Sequence, residues 1–151
     1  MLALGAVAAT SILGQIATYP NLALWYAGLV KPSFNPPNWI FAPVWTTLYA
    51  LMAFALWRIL RLQKSSQQRR FAITTFSLLL TLNAAGSWMF FCAHSPLLGL
   101  INIVPQFIVI LATIFAFARL DLLAAACLLP LAAWVAFAGV LNTGIWLLNS
   151  G

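Results

Sequence analysis

Charge is the first thing this sequence lacks. Charged residues make up 5% of its 151 positions, and a single one, Asp121, is acidic. A soluble domain carries about 25% charge, so a chain this poor in charge cannot cover a water-facing surface. One carboxylate also excludes a paired-carboxylate acid–base site and an acidic metal cage. Cysteine is scarce too. Cys92 and Cys127 lie in or beside apolar runs, without metal-ligand spacing or a disulfide framework, and read as small apolar fillers. His94 stands alone between helices as an interfacial residue. No metal and no cofactor is expected. The formal net charge of +6 raises the possibility of a nucleic-acid partner. The basic residues, however, flank apolar spans, where membrane topology explains them better, so no nucleic acid is expected. The opening "MLALGAVAATSILGQIATYP" lacks the basic region of a signal peptide and reads as a retained first span.

What is present is apolar. Hydrophobic residues make up 64% of the chain, and the mean hydropathy is +1.02. Five apolar segments stand out: Leu2 to Tyr19, Pro36 to Leu60, Phe71 to Phe91, Leu97 to Ala118 and Leu122 to Leu148. Each approaches or exceeds the roughly 20 residues that span a bilayer as helix. They are too long and continuous for barrel strands, which alternate. The expected fold is an all-α membrane protein, a single domain over residues 1–151 built as a bundle of five transmembrane helices. Arg58, Arg61, Lys64, Arg69 and Arg70 flank the second loop, and Arg119 lies in the fourth beside Asp121. The opposite side carries Lys31 and His94. The positive-inside rule then places the N-terminus and loops two and four in the cytoplasm of a bacterial inner-membrane protein, with the C-terminus and first loop outside. "QKSSQQRR" reads as a solvated linker between helices two and three.

The prolines mark the helix ends and interiors. The first helix is expected to stop before Pro20. Asn35 is the expected N-cap of helix two, with Pro36 and Pro37 in its first turn. Pro43, Pro105 and Pro130 fall inside apolar segments, where each removes a helical hydrogen bond and favours a kink. Such kinks either let the bundle enclose a cavity or are merely structural. The amides at membrane depth, Gln15, Asn83, Asn102, Gln106 and Asn142, should face the bundle interior. There they either join helices or anchor a ligand. Asn102 and Gln106, four apart, share one face. On helix five, Ala132, Ala136, Gly139 and Thr143 form a small-residue stripe, and Trp134, Ala138, Leu141 and Ile145 form another facing away from it. On helix two, Phe41, Trp45, Tyr49 and Met52 align. Trp25, Trp39, Trp57, Trp88 and Trp146 lie near span ends, as in interfacial belts. Trp45 and Trp134 lie deeper.

The stretch "WYAGLVKPSFNPPNWIFAPVWTTLYALM" resembles the segment joining helices one and two of the translocator protein family, the tryptophan-rich sensory proteins (TspO/MBR). Its pattern there is approximately W-Y-x-x-L-x-K-P-x-[WF]-x-P-P, then P-x-W-x-x-L-Y. "LNAAGSWMFF" resembles the family's third-helix motif and "LPLAAWVAFAGVLNTGIW" its fifth. The resemblance implies a five-helix bundle, usually a homodimer in the lipid bilayer, whose first loop acts as a lid over an internal pocket. It implies binding of porphyrins such as protoporphyrin IX, of sterols in some members, and of synthetic isoquinoline carboxamide or benzodiazepine-type ligands. By motif position, Trp45 and Trp134 match the pocket tryptophans, which some bacterial members link to light-driven porphyrin breakdown. Trp39, Phe41, Ala42, Val44 and Leu48 match the lid and helix-two lining. Asn83 matches the third-helix asparagine, and Ala138 and Leu141 match fifth-helix lining. Gly14, Gln15 and Thr18 match helix-one positions, while Lys31 and the asparagines, Asn102 among them, are offered as partners for porphyrin propionates. The sequence departs from the family at Phe34, where tryptophan is common, at Asn102, where many members are acidic, and at Pro105. Thr143 and Leu147 replace the tyrosine and arginine of the vertebrate sterol-recognition pattern. The long basic tail of animal forms is absent. Three functions are in play: a tetrapyrrole receptor or carrier, a light-dependent porphyrin-degrading enzyme, and a sterol-binding or partner-regulating protein without chemistry.

Overall fold

A computed structural model of the chain describes residues 2–62 and 67–150. Lys64 and the first half of the expected linker lie outside the described residues. The described residues are mostly helical, with no strand among them. Helix α1 spans Leu2–Ala23, α2 Asn38–Leu60, α3 Gln67–Ser87 and α4 Pro96–Ala118. A short α5, Leu122–Ala126, precedes α6, Leu129–Asn149. Among the described residues four stretches are long and apolar enough to cross a membrane: Trp39–Leu60, Gln67–Cys92, Pro96–Ala118 and Leu122–Asn149. The first helix adds a shorter apolar segment, Gly5–Ile16. The protein is an integral membrane protein of the all-helical kind.

The helix boundaries correct several expectations. α1 does not stop before Pro20 but runs through it to Ala23. Less than a turn follows Pro20, so only the bond to the Ile16 carbonyl is lost. Asn35 does not cap α2. A proline disfavours helical geometry in the residue before it, so Asn35 and Pro36 both stay out of the helix. Pro37, extended at φ −58° and ψ 147°, becomes the flanking residue. The Asn35 side chain instead fixes the loop: its Oδ1 accepts from Tyr26 Oη at 2.9 Å. Gln67–Arg70, read as linker, form the first turn of α3. The fifth span is broken in two. Pro130 sits in the first turn of α6, where a missing N–H has no helical partner, and the break falls one turn earlier, at Cys127 and Leu128. α2 and α4 continue through Pro43 and Pro105.

α3 ends in a feature with no sequence warning, a wide π-turn over Trp88–Cys92. Ala93 N donates to Trp88 O and Ser95 N to Phe90 O, each five residues back. Ser95 then caps α4 by accepting from Leu98 N at 3.2 Å.

Charge divides the bundle into two ends. At one, Arg58 in the last turn of α2 meets Asp121 at 2.6 Å. Asp121 also caps α5, its Oδ1 accepting from Leu123 N and Ala124 N. Arg69 donates to the Ile59 and Leu60 carbonyls in the last turn of α2, where carbonyls run short of helical donors. At the other end, His94 (φ 52°) pairs with Asn21 at 2.7 Å and stacks on Trp25, which ties α1 to the turn before α4. Packing follows the same division. Towards the basic end the interior is solid: Met52, Ile59, Phe76, Leu79, Ile110, Phe117, Leu128 and Leu131 are fully buried, with Phe76 stacked on Phe117 at 5.7 Å. Towards the first loop it is hollow.

Candidate functional site

The hollow is a cavity of about 230 Å³. Aromatic rings bridge α2 and α6 across it. Phe41 and Trp45, four apart on α2, project to one side, and Trp134 of α6 meets both. Its ring lies 5.9 Å from Phe41 and 6.4 Å from Trp45, nearly perpendicular to the latter at 87°. Phe137 and Tyr49 extend this wall, 5.5 Å from Trp134 and Trp45 respectively. Edge-to-face contacts of this kind suit the ring quadrupoles. The π-turn adds Phe90 and Phe91, and the loop adds Tyr26.

One wall is polar. Gln106 Nε2 donates to Asn83 Oδ1 at 2.6 Å, and Asn83 Nδ2 donates to Tyr49 Oη at 3.3 Å. Behind them Asn102 Nδ2 donates to Gln106 Oε1 at 3.2 Å and to the Leu82 carbonyl at 3.0 Å. The seam joins α2, α3 and α4, so these three amides do take the helix-joining role. Gln15 donates to Ser11 within α1. Among the described residues no charged side chain lines the cavity, and no three His, Cys, Asp or Glu converge.

Phe41, Ala42, Trp45, Asn83, Trp134, Ala138 and Leu141 line the cavity, as do Gly14, Gln15 and Thr18 of α1. Trp39, Val44, Leu48, Lys31 and Asn102 do not. Helical phase explains the first three. Trp39 lies about 200° around α2 from Phe41 and is 72% exposed. Val44 and Leu48 turn toward the solid core. Asn102 stands a layer back in the seam. Lys31 sits in the loop, its Nζ 4.7 Å above the Tyr26 ring and bonded to the Leu29 carbonyl. Tyr26 is itself buried, and burial pushes its phenol above the usual range, partly offset by the bond to Asn35. Sequence reasoning missed Tyr26, Phe90, Phe91, Gly99 and Phe137. Phe137 and Tyr26 carried only an aromatic signal, and Phe90 and Phe91 depend on the π-turn. Gln106, Tyr49, Ile145 and Asn142 stand out in the sequence as polar or striped positions, and the structure adds them to the cavity lining.

The loop is held over this end of the bundle. Asn149, at the end of α6, clasps Val30 with two hydrogen bonds: Val30 N donates to its Oδ1 at 3.0 Å and its Nδ2 donates to Val30 O at 2.8 Å. Pro32 packs on Gly144, and Phe34 lies 6.4 Å from Phe137.

The chain was compared with known proteins. The model of the TspO/MBR family matches residues 2–147. The tryptophan-rich protein TspO of Chlorobaculum tepidum is 39% identical over 98% of this chain and 94% of its own length. The protein of the same name from Archaeoglobus fulgidus is 37% identical over 96% and 93%. The translocator protein of Sus scrofa is 38% identical over 84% and 76%. Family match and relatives together cover the loop, the aromatic wall and the polar seam, and the chain belongs to the TspO/MBR family.

Proposed function

We propose that the protein is a membrane receptor or carrier for a tetrapyrrole such as protoporphyrin IX, acting in tetrapyrrole sensing, transport or homeostasis. The observation that carries this is the cavity wall of Phe41, Trp45 and Trp134 facing a short amide seam. A flat aromatic macrocycle is stabilised by burial against indole rings, at about 0.5–1.5 kcal/mol per aromatic pair beyond its area. A few fixed polar groups then set its orientation. Isoquinoline carboxamide and benzodiazepine-type compounds share this flat apolar form and fit the same reading. The clasped loop serves as the lid. The basic end faces the cytoplasm of a bacterial inner membrane, which puts the lid outside. The working unit is a homodimer.

A second reading has its own support. Trp45 and Trp134 both face the cavity with ring centres 6.4 Å apart. Two indoles beside a light-absorbing porphyrin are placed as redox partners for its photo-oxidative breakdown, in which light excites the porphyrin and dissolved dioxygen is the oxidant.

One titration separates these readings. Purified protein is titrated with protoporphyrin IX while tryptophan fluorescence is followed in the dark, then porphyrin absorbance is followed under light. Saturable quenching with stable absorbance supports the receptor or carrier. Loss of absorbance that needs Trp134, absent in Trp134→Phe, supports breakdown. No saturable quenching overturns both and leaves a sterol-binding or partner-regulating protein.

A further inference from the structure

Asn142 differs from the other amides of the bundle. It lies on α6, 5% exposed, and lines the cavity. Asn83, Asn102 and Gln106 are equally buried and all are hydrogen-bonded. The Asn142 side chain has no hydrogen bond among the described residues, and its Oδ1 is buried without a donor. Its amide fits there because α4 offers a glycine opposite: a Cβ at Gly99 would come within 2.9 Å of Asn142 Nδ2. The wall is therefore shaped to hold an amide that the protein does not pair. Leaving a buried polar group unpaired is costly, and more so in hydrocarbon, where water is scarce.

The cavity sets the chemistry of a partner for it. No cation among the described residues lines the walls, so an ionised carboxylate entering here would be desolvated without compensation. A carboxamide offers one acceptor and two donors from a single planar group. Its complement is a neutral group with a donor and an acceptor side by side.

We infer that Asn142 is a docking amide for a neutral donor–acceptor group on the ligand, a protonated carboxyl or a carboxamide. A carboxylic acid donates its O–H to Asn142 Oδ1 while its carbonyl accepts from Asn142 Nδ2, closing a ring of two hydrogen bonds. A porphyrin propionate bound here is thus held as the neutral acid. The porphyrin case rests on the reading proposed above; the pairing chemistry does not.

The test compares wild type with Asn142→Leu, a substitution of similar volume, in detergent. Probes are protoporphyrin IX and its dimethyl ester, and pyrene-1-carboxylic acid and its methyl ester as a flat acid that is not a tetrapyrrole. Binding is read from tryptophan quenching, and unfolding of the ligand-free protein from its thermal midpoint. An ester keeps the carbonyl acceptor but lacks the O–H, so wild type should bind each acid about tenfold more tightly than its ester, the scale of the one hydrogen bond the ester cannot make. That preference should shrink as pH rises and the acid ionises. In Asn142→Leu it should vanish while ester binding persists, and the thermal midpoint should rise because an unpaired amide has been removed. An acid preference that survives in Asn142→Leu, or a midpoint that falls, overturns the inference. If pyrene acid shows the preference and neither porphyrin binds, the tetrapyrrole reading fails and the role of Asn142 stands.

Discussion

Gly144 is where α6 has no room for a side chain. A Cβ there would sit 2.6 Å from Pro32 Cγ, and a proline ring cannot swing aside. Gly144→Ala should therefore push the loop off α6 and destabilise the protein by about 1–3 kcal/mol, a loss visible as a lower thermal midpoint. If the loop is the lid, porphyrin release should quicken in stopped-flow measurements as well. Trp134 makes the other sharp case at this scale. It touches both Phe41 and Trp45, so Trp134→Phe removes indole surface from the wall at a point where two contacts meet. Porphyrin binding by quenching should weaken by roughly three- to tenfold, the equivalent of about one aromatic pair. Undiminished affinity would place the macrocycle elsewhere.

At the scale of elements, the only acidic residue of the chain does two jobs. Asp121 caps α5 and pairs with Arg58. The Arg58 hydrogen bond is the main influence holding its carboxyl below the usual range. A carboxyl with a lowered folded pKa contributes stability above its unfolded pKa, and loses it as pH falls through the folded value. The stabilisation should be complete at neutral pH and fade only in strong acid. Asp121→Ala should cost about 1–2 kcal/mol, and Asp121→Asn less, because asparagine keeps the cap and loses only the charge; thermal unfolding of both variants checks the order. The elements also show what the sequence could and could not convey. The periodicity of α6 was legible, and Trp134, Ala138, Leu141 and Ile145 do share the cavity face. On α2 the phase was blurred, because Val44 and Leu48 are as apolar as the residues one step away that line the cavity. The π-turn was invisible, since its bonds five residues back leave no mark on an apolar run. Pro130 flagged a disturbance in the fifth span, but a restart at a proline reads the same in sequence as a kink.

The whole molecule is packed at one end and open at the other, and substitutions should divide accordingly. Met52, fully buried in the solid half, should cost about 2–5 kcal/mol on truncation to alanine. Ala138, on the cavity wall, should respond in the opposite direction: Ala138→Leu fills empty space, so the ligand-free midpoint should rise while porphyrin quenching is lost. A fall in both would mean that the hollow end is already tight. One helix links this hollow to its cover. α6 supplies Trp134 to the wall and, four turns on, Asn149 to the clasp on Val30. If the loop is the lid, a reporter fused behind Ser150 hangs on the residue that fastens it, and tagging the protein there should alter the kinetics it was meant to record, whereas a tag ahead of α1 sits at the solid end and leaves the clasp alone.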